Sequence, residues 1–406
     1  MSDHPSPPST TTASASAATT TSSASAATTS GDLDHAIADW HAWLDAHPEP
    51  AWQEHQTTAY LMEQLAGLGL RTREIPDSTG GFAELGEGPR WIGLRADLDA
   101  IWMGDAEGGY GVHSCGHSAH MAMMLGAARL LTEESSEDPL PEGVGVRFLL
   151  QPAEETGTGA LRLIEAGATD GMSHLFGMHL RPKDELPQGH FAPALHSGAS
   201  LTGIVTITGE DAHGARPHQG SNAIDPLVAI HQVLPTLRFA PHESYSIKIT
   251  RIRAGGASMN VIPGTAEVAL DVRAQTNEVL EGLQERATEA IERIGRLYDV
   301  DVTTSWRDLT PAAQVDPDAA QVLAAAITEV AGADALAEEV VTPGGDDFHY
   351  YAYRQPELRS AMLAVPAQVD PGLHHPKMTY DTSVLPTGAR ILARAIRVAA
   401  QEQSDV

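Results

Sequence analysis

The spacing of apolar residues predicts an ordered chain that begins near Asp32. Tracts with apolar residues three or four positions apart, as an amphipathic helix requires, predict helices at 33–44, 54–67, 117–131 and 161–166. Short continuous apolar runs predict buried strands at 91–95, 144–150 and 175–178. Strands that alternate with helices are typical of an open α/β sheet, where ligands bind just beyond the carboxyl ends of the strands.

Near Ser197 the pattern changes to an alternation of apolar and polar residues. The alternating segments predict strands at 201–208, 245–252, 265–273 and 300–306, with helices at 225–237 and 279–297. The order β-α-β-β-α-β is that of a compact α+β sandwich, which can be inserted into another domain. Helices return at 319–330 and 382–400. We therefore predict an α/β domain with a mostly parallel sheet, residues 32–196 and 310–406, interrupted by an α+β domain, residues 197–309.

Residues 1–31 are mostly Ser, Thr, Ala and Pro and predict a disordered tail, because they offer too few large apolar side chains for a core. They lack the basic cluster and apolar stretch of a secretory signal, and no run approaches the roughly 20 apolar residues of a membrane span. A single cysteine fits a reducing compartment, so we expect a cytoplasmic protein. The net charge of −29 repels nucleic acid and anionic lipid, and neither is an expected partner.

The single cysteine, Cys115, lies in the tract HSCGHSAH at 113–120, which combines a thiol with three imidazoles. Sulfur and imidazole ligands together are typical of sites for zinc or a similar divalent metal. In an extended or looped segment, the two-residue spacing of Cys115 and His117 points both side chains to the same side. The alternative interpretation is a buried structural cysteine beside surface histidines.

Further candidate ligands follow the predicted strands. Glu154 and Glu155 come directly after an apolar strand, where one carboxylate could bind a metal while the other takes a proton from water. His179 ends the strand at 175–178 and is expected to be exposed at the same edge of the sheet, whereas His374 lies in a distant loop. The alternatives are a solvated acidic pair that caps the next helix and ordinary structural histidines.

Three further tracts leave chemistry and structure open. His213, at the end of the first strand of the inserted domain, could reach a developing oxyanion or be a surface histidine. Asn260, in the tract NVIP at 260–263, could belong only to a turn. The tract GGDDF at 344–348 is ambiguous between a helix N-cap and a loop of the site.

Taken together, these segments resemble the amidohydrolase branch of the aminoacylase and carboxypeptidase-type metallopeptidases. That branch includes hippurate hydrolases, N-acyl-amino-acid deacylases and indole-acetyl-amino-acid hydrolases. The resemblance extends from about Asp32 to the C-terminus. The segments that carry it are HPEP at 47–50, RADLDA at 95–100, HSCGH at 113–117, QPAEE at 151–155, GMH at 177–179, AHGARP at 212–217, NVIP at 260–263 and LHHP at 373–376.

The resemblance implies roles for individual residues. The ligands of two divalent ions, with Zn²⁺ expected and Mn²⁺ or Co²⁺ as alternatives, would be Cys115, His117, Glu155, His179 and His374. Glu154 would be the general base and later the proton donor, and Asp97 would orient the ligands. His213 and Asn260, from a lid and dimerisation domain, would contact the substrate or the tetrahedral intermediate, with His213 reaching across a homodimer in one arrangement.

One position departs from the family, because Ser118 stands where an Asp usually follows the Cys-Gly-His segment. A residue that hydrogen-bonds a metal ligand tunes how that ligand binds, so the departure puts the metal preference in question. The predicted function is hydrolysis of the amide bond of a small N-acyl amino acid or related acylated amine, by metal-activated water with Glu154 as the base. A metallo-dipeptidase or carboxypeptidase is the nearest alternative. A non-catalytic metal-binding protein of the same fold is the other, and the presence of Glu154 argues against it.

Overall fold

The computed structural model of the protein describes residues 30–104, 108–137 and 139–402. Its helices are α1 (Ser30–Ala46), α2 (His55–Gly67), α3 (His117–Glu137), α4 (Gly159–Glu165), α5 (Ile224–Val233), α6 (Asn277–Tyr298), α7 (Pro317–Ala331), α8 (Tyr350–Arg354) and α9 (Leu385–Glu402). Its strands are β1 (Arg71–Glu74), β2 (Gly81–Gly86), β3 (Arg90–Asp97), β4 (Ile101–Met103), β5 (Tyr110–Val112), β6 (Val144–Gln151), β7 (Met172–Pro182), β8 (Leu195–Ser197), β9 (Ala199–Thr208), β10 (Ala212–His213), β11 (Tyr245–Ala254), β12 (Val261–Ile262), β13 (Thr265–Ala274), β14 (Asp301–Thr310), β15 (Val340–Thr342) and β16 (Arg359–Val369). The tail predicted for residues 1–31 lies outside the described residues, except that α1 already begins at Ser30.

The larger sheet has six strands in the order β1-β2-β6-β3-β7-β16. The last four run parallel, and β2 joins β6 in the antiparallel sense. These parallel strands are buried along nearly their whole length because helices cover both faces of the sheet. Neighbouring residues of one strand therefore enter different cores: Phe148 packs with residues of α3 and α9, and Leu149 packs with residues of α4.

The smaller sheet has four antiparallel strands in the order β11-β13-β9-β14. Buried and more exposed residues alternate along β9, because α5 and α6 cover only one face of this sheet. Helix α6 begins with a side-chain cap, in which the hydroxyl of Thr276 accepts a hydrogen bond from the amide of Val279. The order β9-α5-β11-β13-α6-β14 is the predicted β-α-β-β-α-β order, and the predicted fold class is confirmed. The domain boundaries at 196/197 and 309/310 stay predictions.

Two features of the larger sheet differ from the sequence-based expectation. The pair β1–β2 and the edge strand β16 were not predicted; β16 contains Pro366, which its edge position and a register shift between Val365 and Val369 accommodate. Strand β7 is longer than the predicted 175–178, so His179 lies within it rather than at its end. The expectation of an exposed imidazole was wrong, because Cys115 and His120 lie against the buried ring of His179.

None of the helices formed by the described residues combines the length and the apolar character that a bilayer crossing requires.

Candidate active site

A cleft of about 810 Å³ opens at the carboxyl edge of the larger sheet. One wall comes from β7 and from the segments that follow β5, β6 and β16, and the opposite wall comes from β9, β13 and β14 of the smaller sheet. Its volume is within the range of small-molecule sites. The predicted site residues that line it are Cys115, Glu154, Glu155, His179 and His374.

Cys115 and His117 reach this edge through the tight turn before α3. His117 is the first residue of the helix, and Gly116 has φ = 93°, a conformation that residues with a Cβ rarely adopt. A Cβ at Gly116 would also lie 2.7 Å from Leu180 Cδ1. The glycine therefore allows the chain to turn between the thiol, which lines the cleft, and the imidazole, which lies beside Glu154 and Glu155.

Glu154 and Glu155 lie in a short turn after β6, and Asp99 holds that turn in place. The backbone N–H groups of Glu154 and Glu155 donate to the two carboxylate oxygens of Asp99, each over 3.0 Å. The preceding residue, Ala153, has φ = 52°, which reverses the chain at the strand end. Asp99 was not among the predicted site residues, although it follows Asp97 by two positions at the end of the same strand.

The predicted ligands lie in two groups that share Glu155. The ligand atoms of Cys115, Glu155 and His374 lie within 4.8 Å of one another, as do those of His117, Glu154 and Glu155. His179 joins the first group, because its Nε2 lies 3.5 Å from the Sγ of Cys115. A shared carboxylate between two groups of nitrogen and sulfur donors is an arrangement that could hold two neighbouring divalent ions.

The protonation and hydrogen bonding of these donors fit a bound cation. His117 Nδ1 donates a hydrogen bond to the backbone carbonyl oxygen of Asp99 at 2.7 Å. The other ring nitrogen, Nε2, faces the carboxylates with its lone pair free to bind a cation. His117 Nε2 and Glu155 Oε1 are buried atoms with no hydrogen-bond partner among the described residues. Burial raises the pKa of the Cys115 thiol well above its usual range, and the nearby Glu155 carboxylate raises it further. A divalent cation would satisfy the two orphaned atoms and stabilise the thiolate.

Asp97 lies beside His117, and its expected role in orienting the ligands stays a prediction. Its carboxylate accepts hydrogen bonds from Arg95 Nη1 at 2.7 Å and from His120 Nδ1 at 2.8 Å, and it lies 3.5 Å from His117 Nε2. Burial favours the neutral acid, but the imidazole of His117 and the guanidinium of Arg95 favour the carboxylate more strongly and hold the pKa of Asp97 well below its usual range. Asp97 therefore supplies a fixed negative charge beside the imidazole of His117.

Arg95 is a site residue that the sequence analysis did not single out. It is fully buried, and its guanidinium pairs with Asp347 at 3.0 Å and with Asp346 at 3.4 Å. Asp346 also caps the next turn by accepting from the amide of Phe348, so the tract at 344–348 is both a cap and a wall of the cleft. The available signal was a charged residue inside an apolar strand, which is buried only when it is paired.

Glu154 faces the far side of the cleft, toward these aspartates. Its ligand atom lies within 4.8 Å of those of Asp346 and Asp347. Burial, and next the charge of Asp346, raise the pKa of Glu154 well above its usual range. This carboxyl group is therefore disposed to accept and hold a proton, which is the property a general base needs.

His213 and Asn260 lie elsewhere. They share the two-stranded ribbon β10–β12, in which His213 pairs with Val261 and the amide of Gly214 donates to the carbonyl of Asn260 at 2.7 Å. Both side chains are exposed, and neither is among the described residues that line the cleft. The structure thus brings together the predicted ligands and the predicted base, and it leaves His213 and Asn260 outside the cleft of their own chain.

The fold and this ligand set define a metal-dependent hydrolase, and comparison with known proteins gives the family. The chain belongs to peptidase family M20/M25/M40, whose model matches residues 93–398. The resemblance inferred from the sequence segments is thereby confirmed.

Individual relatives agree with this assignment. N-acetylcysteine deacetylase of Bacillus subtilis is 30% identical over 373 residues, which cover 86% of this chain and 93% of that protein. A protein of Rhodococcus jostii that is named as a glutamate–cysteine ligase is 32% identical over 388 residues, but this chain spans only 47% of the length of that protein. Among solved structures, a B. subtilis dinuclear metal-binding peptidase of the M20 family has a TM-score of 0.75 and 26% identity, with 91% of this chain and 99% of that chain covered.

Proposed function

We propose that this protein hydrolyses the amide bond of a small N-acyl amino acid, with two divalent metal ions and Glu154 as the general base. The observation that carries this proposal is that Glu155 joins two groups of ligand atoms at the cleft, one with Cys115 and His374 and the other with His117 and Glu154. The deacetylase relative, at 30% identity, supports the same kind of substrate.

The bound metal would supply the electrophile, since a divalent cation polarises a carbonyl and lowers the pKa of water. Glu154 takes a proton from the attacking water on its carboxylate and delivers it to the nitrogen of the leaving amine. The amide C–N bond breaks, and water and amide become a carboxylic acid and an amino acid. Asp99 holds the turn that aims Glu154, through its two hydrogen bonds to that turn.

Two arginine side chains of the cleft offer positive charge for an amino-acid carboxylate. Arg181 and Arg273 both line the cleft, Arg181 buried on β7 and Arg273 half-exposed on β13. Arg181 is paired with Glu185, whereas Arg273 is bound through its Nε to Asp271 at 3.1 Å. The rest of the Arg273 guanidinium can bind a substrate carboxylate by charge-assisted hydrogen bonds.

The lid residues complete the site in this proposal. His213 and Asn260 reach the cleft of a second subunit in a homodimer, where His213 stabilises the developing oxyanion. Their position on an exposed ribbon, away from the cleft of their own chain, supports this arrangement. Zn²⁺ is the proposed metal, because sulfur and imidazole ligands favour it.

Metal analysis coupled to a substrate screen tests the proposal. Purified protein is analysed for bound metal and assayed with N-acetyl-amino acids beside unblocked dipeptides, then again after chelation and after addition of Zn²⁺, Mn²⁺ or Co²⁺. We expect turnover of the acylated amino acids, loss of turnover on chelation and recovery with one metal. Preferred cleavage of the dipeptides would replace the deacylase with a peptidase, and a protein that binds no metal would refute the proposal.

A further inference from the structure

Ser118 occupies the position after the Cys-Gly-His segment, where an Asp is usual in the family. The surroundings of Ser118 show that the chain has not simply lost a carboxylate there. Ser118 is buried in the first turn of α3, directly after His117. Its hydroxyl donates to Asp45 Oδ1 at 3.0 Å, and Asp45 belongs to α1. A carboxylate is therefore present beside position 118, supplied by another helix.

The same hydroxyl continues the network toward the C-terminal part of the chain. Ser118 Oγ lies 3.0 Å from the hydroxyl oxygen of Tyr380, which in turn lies 2.6 Å from Nε2 of His41. Because Ser118 uses its one proton toward Asp45, the Tyr380 hydroxyl donates to Ser118 and accepts from His41. The hydrogen bonds thus run in one direction, from His41 through Tyr380 and Ser118 to Asp45.

Tyr380 lies at the base of the loop that carries His374. Asp370 and Thr379 close this loop by two backbone hydrogen bonds of 3.0 and 2.9 Å, and Tyr380 is the next residue. At the far side of the loop, the amide of His374 donates to the carbonyl of Ser114 at 2.6 Å. His374 itself is 57% exposed in its side chain, so little packing fixes its imidazole.

We propose that Asp45, Ser118, Tyr380 and His41 form a positioning network that holds the His374 loop against the Cys115–His117 segment. The network thereby sets the affinity for the metal ion that His374 binds, an inference that rests on the proposed function. His374 depends on it most among the ligands, because Cys115, His117 and His179 are buried in the larger domain and His374 is not. Tyr380 and His41 also contact edge-to-face, with ring centroids 5.6 Å apart, which restrains the hydroxyl that both bonds use.

The test is a Zn²⁺ titration of the metal-free, full-length protein by calorimetry and by competition with a chelating dye. In Tyr380→Phe we expect one of the two bound ions to bind about 10-fold more weakly, as is typical when the outer partner of a ligand is lost, while the other ion binds as before. Asp45→Ala should give a similar, smaller loss for the same ion. Tyr353→Phe is the matched control, because the Tyr353 hydroxyl bonds the exposed Glu281 and not a residue of this network.

Rescue separates positioning from general stability. Ser118→Asp in the Asp45→Ala background places a carboxylate beside Tyr380 again, and we expect affinity for the weakened ion to return. The melting temperature of the metal-free variants should stay close to that of the unsubstituted protein. Unchanged affinities in Tyr380→Phe and Asp45→Ala would overturn the network, as would an equal loss for both ions together with a lower melting temperature. If the unsubstituted protein binds no Zn²⁺, the proposed function fails first, and that result is distinct from either outcome.

Discussion

The two sheets of this protein present their polar residues in different ways. In the larger sheet, charged residues such as Arg95 and Asp97 lie inside or at the ends of strands that are buried on both faces. In the smaller sheet, polar residues lie on the open face, and the ribbon that carries His213 and Asn260 is exposed. The first arrangement is stable only if the charges are paired, and the hydrogen bonds of Arg95 show that pairing.

The difference between the two sheets shows which residues of the candidate site a single domain can hold in position by its own packing. The ligands and Glu154 come from segments at one edge of a single sheet, so the packing of that sheet determines their distances. The contribution proposed for His213 would instead depend on where the ribbon β10–β12 lies relative to a cleft, or on a second subunit. Substitutions at the edge of the larger sheet should therefore affect the activity of their own chain. Substitutions in the ribbon β10–β12 should affect the activity of a partner chain.

The largest expected effect is that of Glu154→Gln. The amide cannot accept the proton of water, so we expect kcat to fall by about 10²–10⁴-fold, the range for loss of a general base. The shape of the side chain is kept, and metal content measured by plasma emission should be unchanged. Glu63→Gln, an exposed glutamate on α2, is the matched control. Activity retained in Glu154→Gln would remove the proposed base.

His213→Ala tests the other side of the comparison. Loss of one oxyanion donor costs about 10²–10³-fold in kcat, and we expect a decrease at the lower end of that range. Because His213 is proposed to act in the partner's cleft, mixing this variant with Glu154→Gln should restore part of the activity after subunit exchange. Two inactive variants that stay inactive after verified exchange would place His213 in its own chain's reaction or outside the reaction.

Sequence reasoning found β3, β6 and β7 of the larger sheet and the candidate ligands near their ends because these signals are local. Cys115 and His117 stand two apart before a helix, and Glu154 follows an apolar strand, so each could be assigned to the same edge. Asp99 was missed because its role is to accept from backbone N–H groups 55 and 56 positions away. Side-chain identity gives no hint of which backbone amides a carboxylate will meet.

The pattern of apolar and polar residues could not show how deeply a polar residue such as His179 is buried. His179 was expected to be exposed because the apolar run ends at Met178, yet β7 continues to Pro182 and the ring is covered by Cys115 and His120. Burial of a polar residue in a parallel sheet depends on which strands flank it, and β7 lies between β3 and β16. The position of β16 could not be predicted, since this strand was not recognised at all.

His174→Phe tests how a buried histidine of the larger sheet makes the free energy of unfolding depend on pH. Burial, and next the charge of Arg359, lower the pKa of His174 to about 4, so the unfolded chain takes up the proton first. Its contribution to stability is present above pH 6.5 and is lost as pH falls toward 4. Phenylalanine removes this dependence, and between pH 6.5 and 5 the variant should lose about 2 kcal/mol less in unfolding free energy. His231→Phe, on the exposed face of α5, is the matched control for the substitution itself. Urea unfolding at several pH values measures the difference.

Arg273→Gln has the smallest expected effect and tests the positive charge that the smaller sheet contributes to the cleft of its own chain. Arg273 lies on β13, in the wall of the cleft that the smaller sheet forms. We expect KM for N-acyl amino acids to rise about 10-fold with kcat within about twofold, because a charge-assisted hydrogen bond to the substrate is lost in ground and transition state alike.

The form of the substrate shows whether that loss concerns a carboxylate. With the amino-acid carboxylate converted to a primary amide, the unsubstituted protein and Arg273→Gln should show the same KM, and Arg273→Lys should keep most of the affinity for the free acid. An equal increase in KM for both substrates would mean that Arg273 shapes the wall of the cleft. In that case Arg181, which is buried on β7, would be the other arginine among the described residues of the cleft that a substrate carboxylate could meet.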